Sequence, residues 1–342
     1  MKKILSIIIP SYNMEKYLPQ CIDSLLVEKI DSLDILIIND GSKDRTLEIG
    51  RRYETKYPQS IRVIDKSNGN YGSCINRGLK EAVGKYIKVL DADDSFEKSN
   101  LDEFIDYLSK VDVDLVVSDY DIVNESGITT KKNRFSLKND LTIFLFKDVL
   151  LRISIPEFQM HSVTYNRNAF RNIAYVQTEG VSYTDMEWMF LPMTKVETVS
   201  FYGKVIYKYL IGREGQTVNT SVSQKAVGQT MFVVKHLLQI YSEHKDKISL
   251  YHKEYLEYRL REKTPSLYRI CLIKIGDTVQ YANLKEFDGI LANQFPELYQ
   301  LMENETVKAI PFHYIRYWRQ KDYSDNIFLL RVIHKLVKLL KS

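Results

Sequence analysis

Cysteine is scarce. The 342 residues hold three, Cys21, Cys74 and Cys271, scattered and without metal-ligand spacing. That excludes a disulfide framework and a cysteine-built zinc site, and it suits a reducing compartment. Glycine (14) is sparse too, and with 44% hydrophobic and 27% charged residues the balance is ordinary, which excludes disorder and collagen-like repetition. Net charge is only +4, too small to point to a nucleic-acid partner. No apolar run approaches the roughly 20 residues of a membrane span. Lys2-Lys3 and the apolar Ile4–Ile9 look like the start of a signal peptide. Pro10 ends that run short of the roughly 7–15 residues of an h-region, and no small-residue cleavage site follows. The expectation is a cytoplasmic chain, or one lying peripherally on the inner face of the cell membrane. Internal repeats and low-complexity tracts are lacking. No Walker P-loop and no complete GxGxxG is present, which disfavours a kinase or a dehydrogenase.

What is there is an alternation. Apolar, β-branched runs at Ile4–Ile9, Asp34–Ile38, Ile61–Ile64, Tyr86–Leu90 and Asp114–Val117 are separated by helical spacings. Those spacings cover Glu15–Glu28, Asp44–Tyr57, Tyr71–Val83 and Leu101–Leu108. Continuous strands alternating with amphipathic helices predict an α/β fold, a mainly parallel sheet covered on both faces. Beyond residue 125 the pattern turns mixed. Strands are expected near Ser162–Tyr165 and Thr198–Tyr209, with a helix over Thr184–Met193. From about Ser221 the chain reads as helices. At roughly 100–200 residues per domain, 342 residues predict two domains or one with an appendage.

Ligands of such sheets bind outside the carboxyl ends of the strands. There the chain carries Pro10-Ser11-Tyr12-Asn13, Asn39-Asp40-Gly41-Ser42, Asn68-Gly69-Asn70-Tyr71-Gly72 and Asp91-Ala92-Asp93-Asp94. Three carboxylates within four residues repel one another unless a cation or donors offset them. Oxygen ligands of this kind suit Mg²⁺ or Mn²⁺, held through one or two carboxylates plus substrate phosphates. A solvated acidic turn capping the next helix is the plainer alternative for the acids. Asp40 capping a turn is its plainer alternative too.

Taken in order, these segments, with Gly84-Lys85-Tyr86-Ile87, resemble the family 2 glycosyltransferases of the GT-A fold over about the first 125 residues. The resemblance implies a GT-A (Rossmann-like) sheet flanked by helices. It also implies an inverting enzyme of the hexosyltransferase type, moving a sugar from a nucleotide diphosphate to an acceptor hydroxyl. Domain bounds would be 1–220 for the transferase domain (nucleotide half 1–125, acceptor half 126–220) and 221–342 for a helical C-terminal region. Pro10, Tyr12, Asp40, Asn68, Asp91 and Ala92 would line the nucleotide-sugar site, with Asp40 taking an N–H of the base, Tyr12 stacking on it and Asp91 touching the ribose. Asp93 would hold Mn²⁺ or Mg²⁺, with Asp94 a lesser candidate. Where the family usually has Asp-Asp-Gly-Ser, this chain has Asn39 first. The general base is expected at Asp185, where the family carries Glu-Asp and this chain has Thr184-Asp185; Glu187 stays in contention. Arg213, in a Gly-Arg-Glu-Gly loop, would contact the diphosphate, and His161 sits where relatives approach the acceptor. By the same likeness the donor is a UDP-sugar and the acceptor a glycan or lipid-linked glycan of a growing cell-surface polysaccharide. A nucleotidyltransferase would want a glycine-rich, arginine-containing loop after the first strand, which Pro10–Asn13 is not. A non-catalytic sugar-nucleotide or polysaccharide binding module would not need Asp91, Asp93 and Asp185.

The last 17 residues, Asn326–Ser342, contain no acid. Ile327, Leu330, Ile333, Val337 and Leu340 fall on one helical face, and Arg331, His334, Lys335, Lys338 and Lys341 lie largely opposite. Such a helix suits peripheral contact with an anionic bilayer; a terminal helix packed on the second domain fits the spacing equally well.

Overall fold

The computed structural model describes residues 2–135, 141–152, 158–171, 173–213, 227–275, 278–306, 311–324 and 328–339. They form two compact units. The first takes in residues 1–216 and 248–255, the second residues 217–247 and 256–342.

The first unit is a ten-stranded sheet flanked by helices. Strands β1 (Leu5–Ser11), β2 (Leu33–Asp40), β3 (Ile61–Lys66) and β4 (Tyr86–Val89) alternate with α1 (Leu18–Asp23), α2 (Thr46–Lys56) and α3 (Asn70–Glu81). After β5 (Ser95–Phe96) and α4 (Lys98–Lys110) come β6 (Leu115–Val123), β7 (Thr129–Asn133), β8 (Phe144–Leu145) and α5 (Phe146–Leu150). The unit continues through β9 (Val163–Asn166), α6 (Asn168–Arg171), α7 (Asp185–Trp188) and β10 (Thr198–Leu210). Spatial order is β3-β2-β1-β4-β9-β6-β10-β5, with β7 on β6 and β8 on β10. The long ladders β1–β2, β1–β4, β2–β3 and β6–β10 are parallel, whereas β9 joins β4 and β6 antiparallel. Every residue of β1 and β2 is buried, which is why both read as mainly apolar runs.

From β1 the chain builds outward to β2 and β3, then returns to lay β4 on the other side of β1. That reversal is the topological switch point, and the crevice beyond it is where such sheets bind ligands. The residues following β1, β2, β3 and β4 all open onto it.

Two helices are shorter than their spacing predicts. The apolar stripe of Glu15–Glu28 yields only Leu18–Asp23, with Pro19 in its first turn. Thr184–Met193 yields only Asp185–Trp188, and Pro192 opens a separate 3₁₀ turn over Pro192–Lys195. Strands β5, β7 and β8 were not foreseen. They are short, and their pairing depends on distant partners rather than on local pattern.

The second unit is helical: α8 (Val227–His244), α9 (Leu250–Tyr268, its first turns in the first unit), a π-turn over Arg269–Ile275, α10 (Thr278–Gln294), α11 (Pro296–Met302), α12 (Tyr314–Gln320) and α13 (Phe328–Leu339). Asp288 is fully buried and paired with Arg319 at 2.6 Å. The Tyr268 hydroxyl donates to the same carboxylate, and the Arg319 guanidinium lies 3.5 Å from the Tyr299 ring centroid. α13 packs against the π-turn, burying Leu330 and Ile333, while Phe328, Leu329 and Leu336 stay exposed. The face expected to be offered to a bilayer is therefore the packed one at Leu330 and Ile333. Ile327, Leu340 and the side chain of Val337 lie outside the described residues. No helix among the described residues is long and apolar enough to cross a membrane.

Candidate active site

The ends of β1 and β2 are knitted by their own motifs. Asn13 takes a left-handed φ of 54°; its N–H donates to Ser42 Oγ (3.0 Å) and its Oδ1 accepts from Lys43 N (2.8 Å). Asp44 accepts from the N–H groups of Glu15 (2.9 Å) and Thr46 (3.0 Å). Burial pushes its carboxyl up, but the Thr46 hydroxyl and these N–H donors outweigh that and hold it below the usual range. Gly41 sits at φ +68°, where a Cβ would lie 3.0 Å from Asn68 N. Pro10 is thus a buried strand residue, and Tyr12, 46% exposed, stands free at the crevice.

Asp40 is buried at the end of β2. Its Oδ1 accepts from Lys66 Nζ (2.5 Å) and Gly69 N (2.9 Å), and Lys66 also donates to Ser73 Oγ (2.8 Å). Asn68 spends its amide on the carbonyl of Asp40 (2.9 Å). Asn39, where the family usually has an acid, donates from Nδ2 to Asp65 Oδ1 at 2.7 Å. An aspartate there would set a buried carboxylate against that of the exposed Asp65.

The acidic segment follows β4. Asp91 Oδ1 accepts from the Tyr71 hydroxyl (2.9 Å). Asp94 is buried, its Oδ2 accepting from the Tyr207 hydroxyl (2.6 Å) and its Oδ1 from Leu210 N (2.7 Å). Asp93 is paired with the Arg213 guanidinium, which also lies 5.4 Å from the Tyr17 ring centroid. Ala92 is buried between them. Burial, then the Asp93 charge, push Asp91 up to about 7; Asp185 adds to this, and Tyr71 and Arg213 pull the other way. Burial and the charges of Asp93 and Asp91 raise Asp94 as well.

Asp185 opens α7 and is exposed. Its charge acts on Asp91, Tyr71 and Tyr209, so it lies near the acidic segment. Glu187, two residues on, is 1% exposed. Both of its oxygens are taken by Thr178, from N at 2.7 Å and from Oγ1 at 2.6 Å. The Thr178 segment closes over α3 so tightly that a Cβ on Gly72 would lie 1.9 Å from Thr178 O. Glu187 therefore braces the crevice wall, and of the two acids only Asp185 faces out.

His161 stacks on Tyr209 with centroids 4.2 Å apart, edge-on to Tyr207 at 4.8 Å. Burial and the Lys88 charge push it down to about 3, so the ring is neutral. Contacts and charges thus link Asp91, Asp93, Asp94, Asp185, Arg213 and, through Tyr207, His161, while Asp40 and Asn68 form their own hydrogen-bonded group at the end of β2 and Tyr12 directly follows β1. Sequence reasoning gave no role to Lys66, Tyr71, Tyr207 and Tyr209. The Tyr-x-Tyr spacing of β10, two rings on one strand face, was the available signal.

Among the described residues no three of His, Cys, Asp and Glu form a preformed cation cage. The donor set still fits a divalent cation that takes most of its ligands from a diphosphate. Asp93 offers a carboxylate at the crevice and Asp91 its Oδ2, whereas both oxygens of Asp94 are committed.

Residues 6–174 match the model of "Glycosyl transferase family 2". An uncharacterized glycosyltransferase of Rickettsia typhi is 29% identical over 226 residues, 65% of this chain and 68% of that one. The minor teichoic acid biosynthesis protein GgaB of Bacillus subtilis is 25% identical over 254 residues, 72% of this chain but 27% of its own length. Among solved structures, S. aureus TarS in complex with UDP-GlcNAc superposes with a TM-score of 0.53 at 18% identity, covering 78% of this chain and 81% of that one. The mannosyltransferase PcManGT from Pyrobaculum calidifontis, in complex with GDP-Man and Mn²⁺, gives 0.52 at 14% identity, covering 95% and 89%. The chain belongs to the family 2 glycosyltransferases and has their GT-A-like fold.

Proposed function

We propose that this glycosyltransferase moves a sugar, with inversion, from a UDP-sugar to a hydroxyl of a growing cell-surface glycan. The observation that supports this reading is the acidic segment after β4, where Asp93 pairs with Arg213 and the charge of the exposed Asp185 acts on Asp91. Residues 1–220 form the transferase domain, with a nucleotide half over 1–125 and an acceptor half over 126–220, and 221–342 form the helical region. Tyr12 stacks on the base. Asp40, with Oδ1 already shared by Lys66 and Gly69, offers its second oxygen to one N–H, which suits uracil. Asp91 binds the ribose, with Ala92 giving the closely packed backbone beside it. Asp93, with Asp91 Oδ2, would hold Mn²⁺ or Mg²⁺, which supplies charge neutralisation for the departing diphosphate. Arg213 leaves Asp93 to pair with phosphate oxygens, adding a fixed positive charge where negative charge develops. Asp185 takes the acceptor proton as the hydroxyl attacks the anomeric carbon.

The polysaccharide assignment rests on the teichoic acid relative, and the UDP assignment on the Asp40 geometry together with the UDP-GlcNAc-bound neighbour. The acceptor is a glycan or lipid-linked glycan, met at the inner face of the cell membrane. There the exposed Phe328, Leu329 and Leu336 of α13, with Lys335, touch the bilayer. The test is a panel of UDP-, GDP- and dTDP-sugars screened with and without Mn²⁺ for release of nucleoside diphosphate. Release from a UDP-sugar, stimulated by the cation, is expected; release from none of them overturns the reading.

A further inference from the structure

Lys88 lies in β4 with no exposed surface and pairs with no carboxylate among the described residues. Its ammonium donates to the carbonyls of His161 (2.8 Å) and Val163 (3.0 Å). Burying a cation without a counter-charge is costly, and an apolar side chain would fill the place at lower cost. What the lysine secures is local. The β4–β9 ladder ends at Ile87–Tyr165, and beyond it the two chains diverge, β4 toward Asp91 and the other toward the turn carrying His161. Lys88 bridges that fork and so fixes the height of the His161 ring.

On that ring rests Tyr209, stacked at 4.2 Å and 25°. Its strand neighbours tie it to the acidic segment. The Tyr207 hydroxyl donates to Asp94 (2.6 Å) and accepts from Asp91 N (3.1 Å), and Leu210 N donates to Asp94 Oδ1 (2.7 Å). The Tyr209 hydroxyl has no hydrogen-bond partner among the described residues, although the ring is half-buried. Burial, then the charges of Asp94, Asp91, Asp93 and Asp185, push its pKa up, so the phenol keeps its proton. An unpartnered, proton-retaining O–H among carboxylates is matched to an anionic oxygen arriving with a ligand.

We propose that Tyr209 is a further catalytic residue, donating its hydroxyl to the diphosphate oxygen that leaves the anomeric carbon, and that Lys88 and His161 position it. This rests on the transferase reading above. The bond between the anomeric carbon and that oxygen breaks with its electron pair left on the diphosphate. The acceptor oxygen bonds to the carbon, and its proton goes to Asp185. Tyr209 shares a strand face with Tyr207, whose hydroxyl is bonded to Asp94 and to Asp91 N, and both rings lie on His161, which puts Tyr209 beside the donor-side carboxylates.

The test uses donor hydrolysis, in which water replaces the acceptor but the same diphosphate departs. Full-length protein is assayed with UDP-glucose, UDP-galactose and UDP-N-acetylglucosamine in Mn²⁺, reading UDP release. Tyr209→Phe keeps the ring and its stacking. It should lower kcat about 10–100-fold with donor KM moving less than about threefold, the pattern of a bond made in the transition state. Lys88→Met should lower kcat in the wild-type background but add nothing in the Tyr209→Phe background, whereas a merely structural lysine would give additive losses. If Lys88→Met does not fold, His161→Ala takes its place in the cycle. Wild-type kcat in Tyr209→Phe overturns the catalytic assignment, and additive losses overturn the positioning one. Absence of UDP release from the wild type with every donor removes the transferase reading and this proposal together, an outcome distinct from either of the other two.

Discussion

Asp185 and Glu187 stand two residues apart on one short helix, and exchanging each for its amide separates catalysis from architecture. Glu187 accepts two hydrogen bonds from Thr178 in a site that is 1% exposed. In Glu187→Gln the amide oxygen can still accept from Thr178 N, and the amide nitrogen can donate to the rotated hydroxyl. What is lost is charge assistance. A hydrogen bond to a charged group is worth about 1.5–3 kcal/mol and a neutral one about 0.5–1.5, so two bonds predict a loss of about 1–3 kcal/mol. In a unit of this size each kcal/mol moves Tm by about 2–4 °C, so the midpoint should fall roughly 3–10 °C. The folded fraction should still turn over at near the wild-type rate. Asp185→Asn should do the reverse. Its side chain is exposed, so Tm should hold, while transfer falls about 10²–10⁴-fold, the usual contribution of a general base, and UDP binding stays intact. Differential scanning fluorimetry gives the first quantity and UDP release at saturating donor the second. An unchanged Tm with a hundredfold loss of turnover in Glu187→Gln would refute this reasoning and move the base to Glu187.

Three further outcomes are expected. Asp93→Asn keeps the volume but removes the charge that pairs Arg213; the Mn²⁺-dependent gain in UDP affinity, read by calorimetry, should disappear, and its persistence would remove Asp93 as the cation's carboxylate. Because folding raises Asp91 to about 7, its contribution to stability is fully present below the unfolded carboxyl value near 4 and is lost as pH rises through 7, by at most about 4 kcal/mol. Asp91→Asn should therefore flatten the fall of Tm between pH 4 and 8, and an unaltered slope would contradict it. A chain ending at Ser324 should lose sedimentation with anionic vesicles at low salt, where the wild type binds and is released as salt screens the charge. Because Leu330 and Ile333 are buried, the shortened chain should also melt lower, and equal sedimentation of the two would remove α13 as the contact.

The strand–helix alternation was legible because each element carries its own period. A β-branched run such as Ile7-Ile8-Ile9 demands burial on both faces whatever its partners. The motifs that end β1, β2 and β4 were legible for the same reason, since a polar segment directly after a buried strand must stand at the sheet's edge. Asp91 and Asp93 could thus be singled out from sequence alone, whereas Asp185 was reached only through the family resemblance. Only the tertiary structure showed that Asp185 is exposed and Glu187 buried on Thr178, because helical phase on a four-residue helix says nothing about which side chain meets Thr178. It alone placed Lys66 on Asp40, Tyr71 on Asp91 and Tyr207 on Asp94, pairings 26, 20 and 113 residues apart. It also reassigned the apolar face of α13, since amphipathic spacing shows that a face must be covered but not by what. Lys88 is the sharpest case. In sequence it interrupts an apolar strand, and only the fork between β4 and β9 supplies the two carbonyls that make a buried ammonium tolerable there.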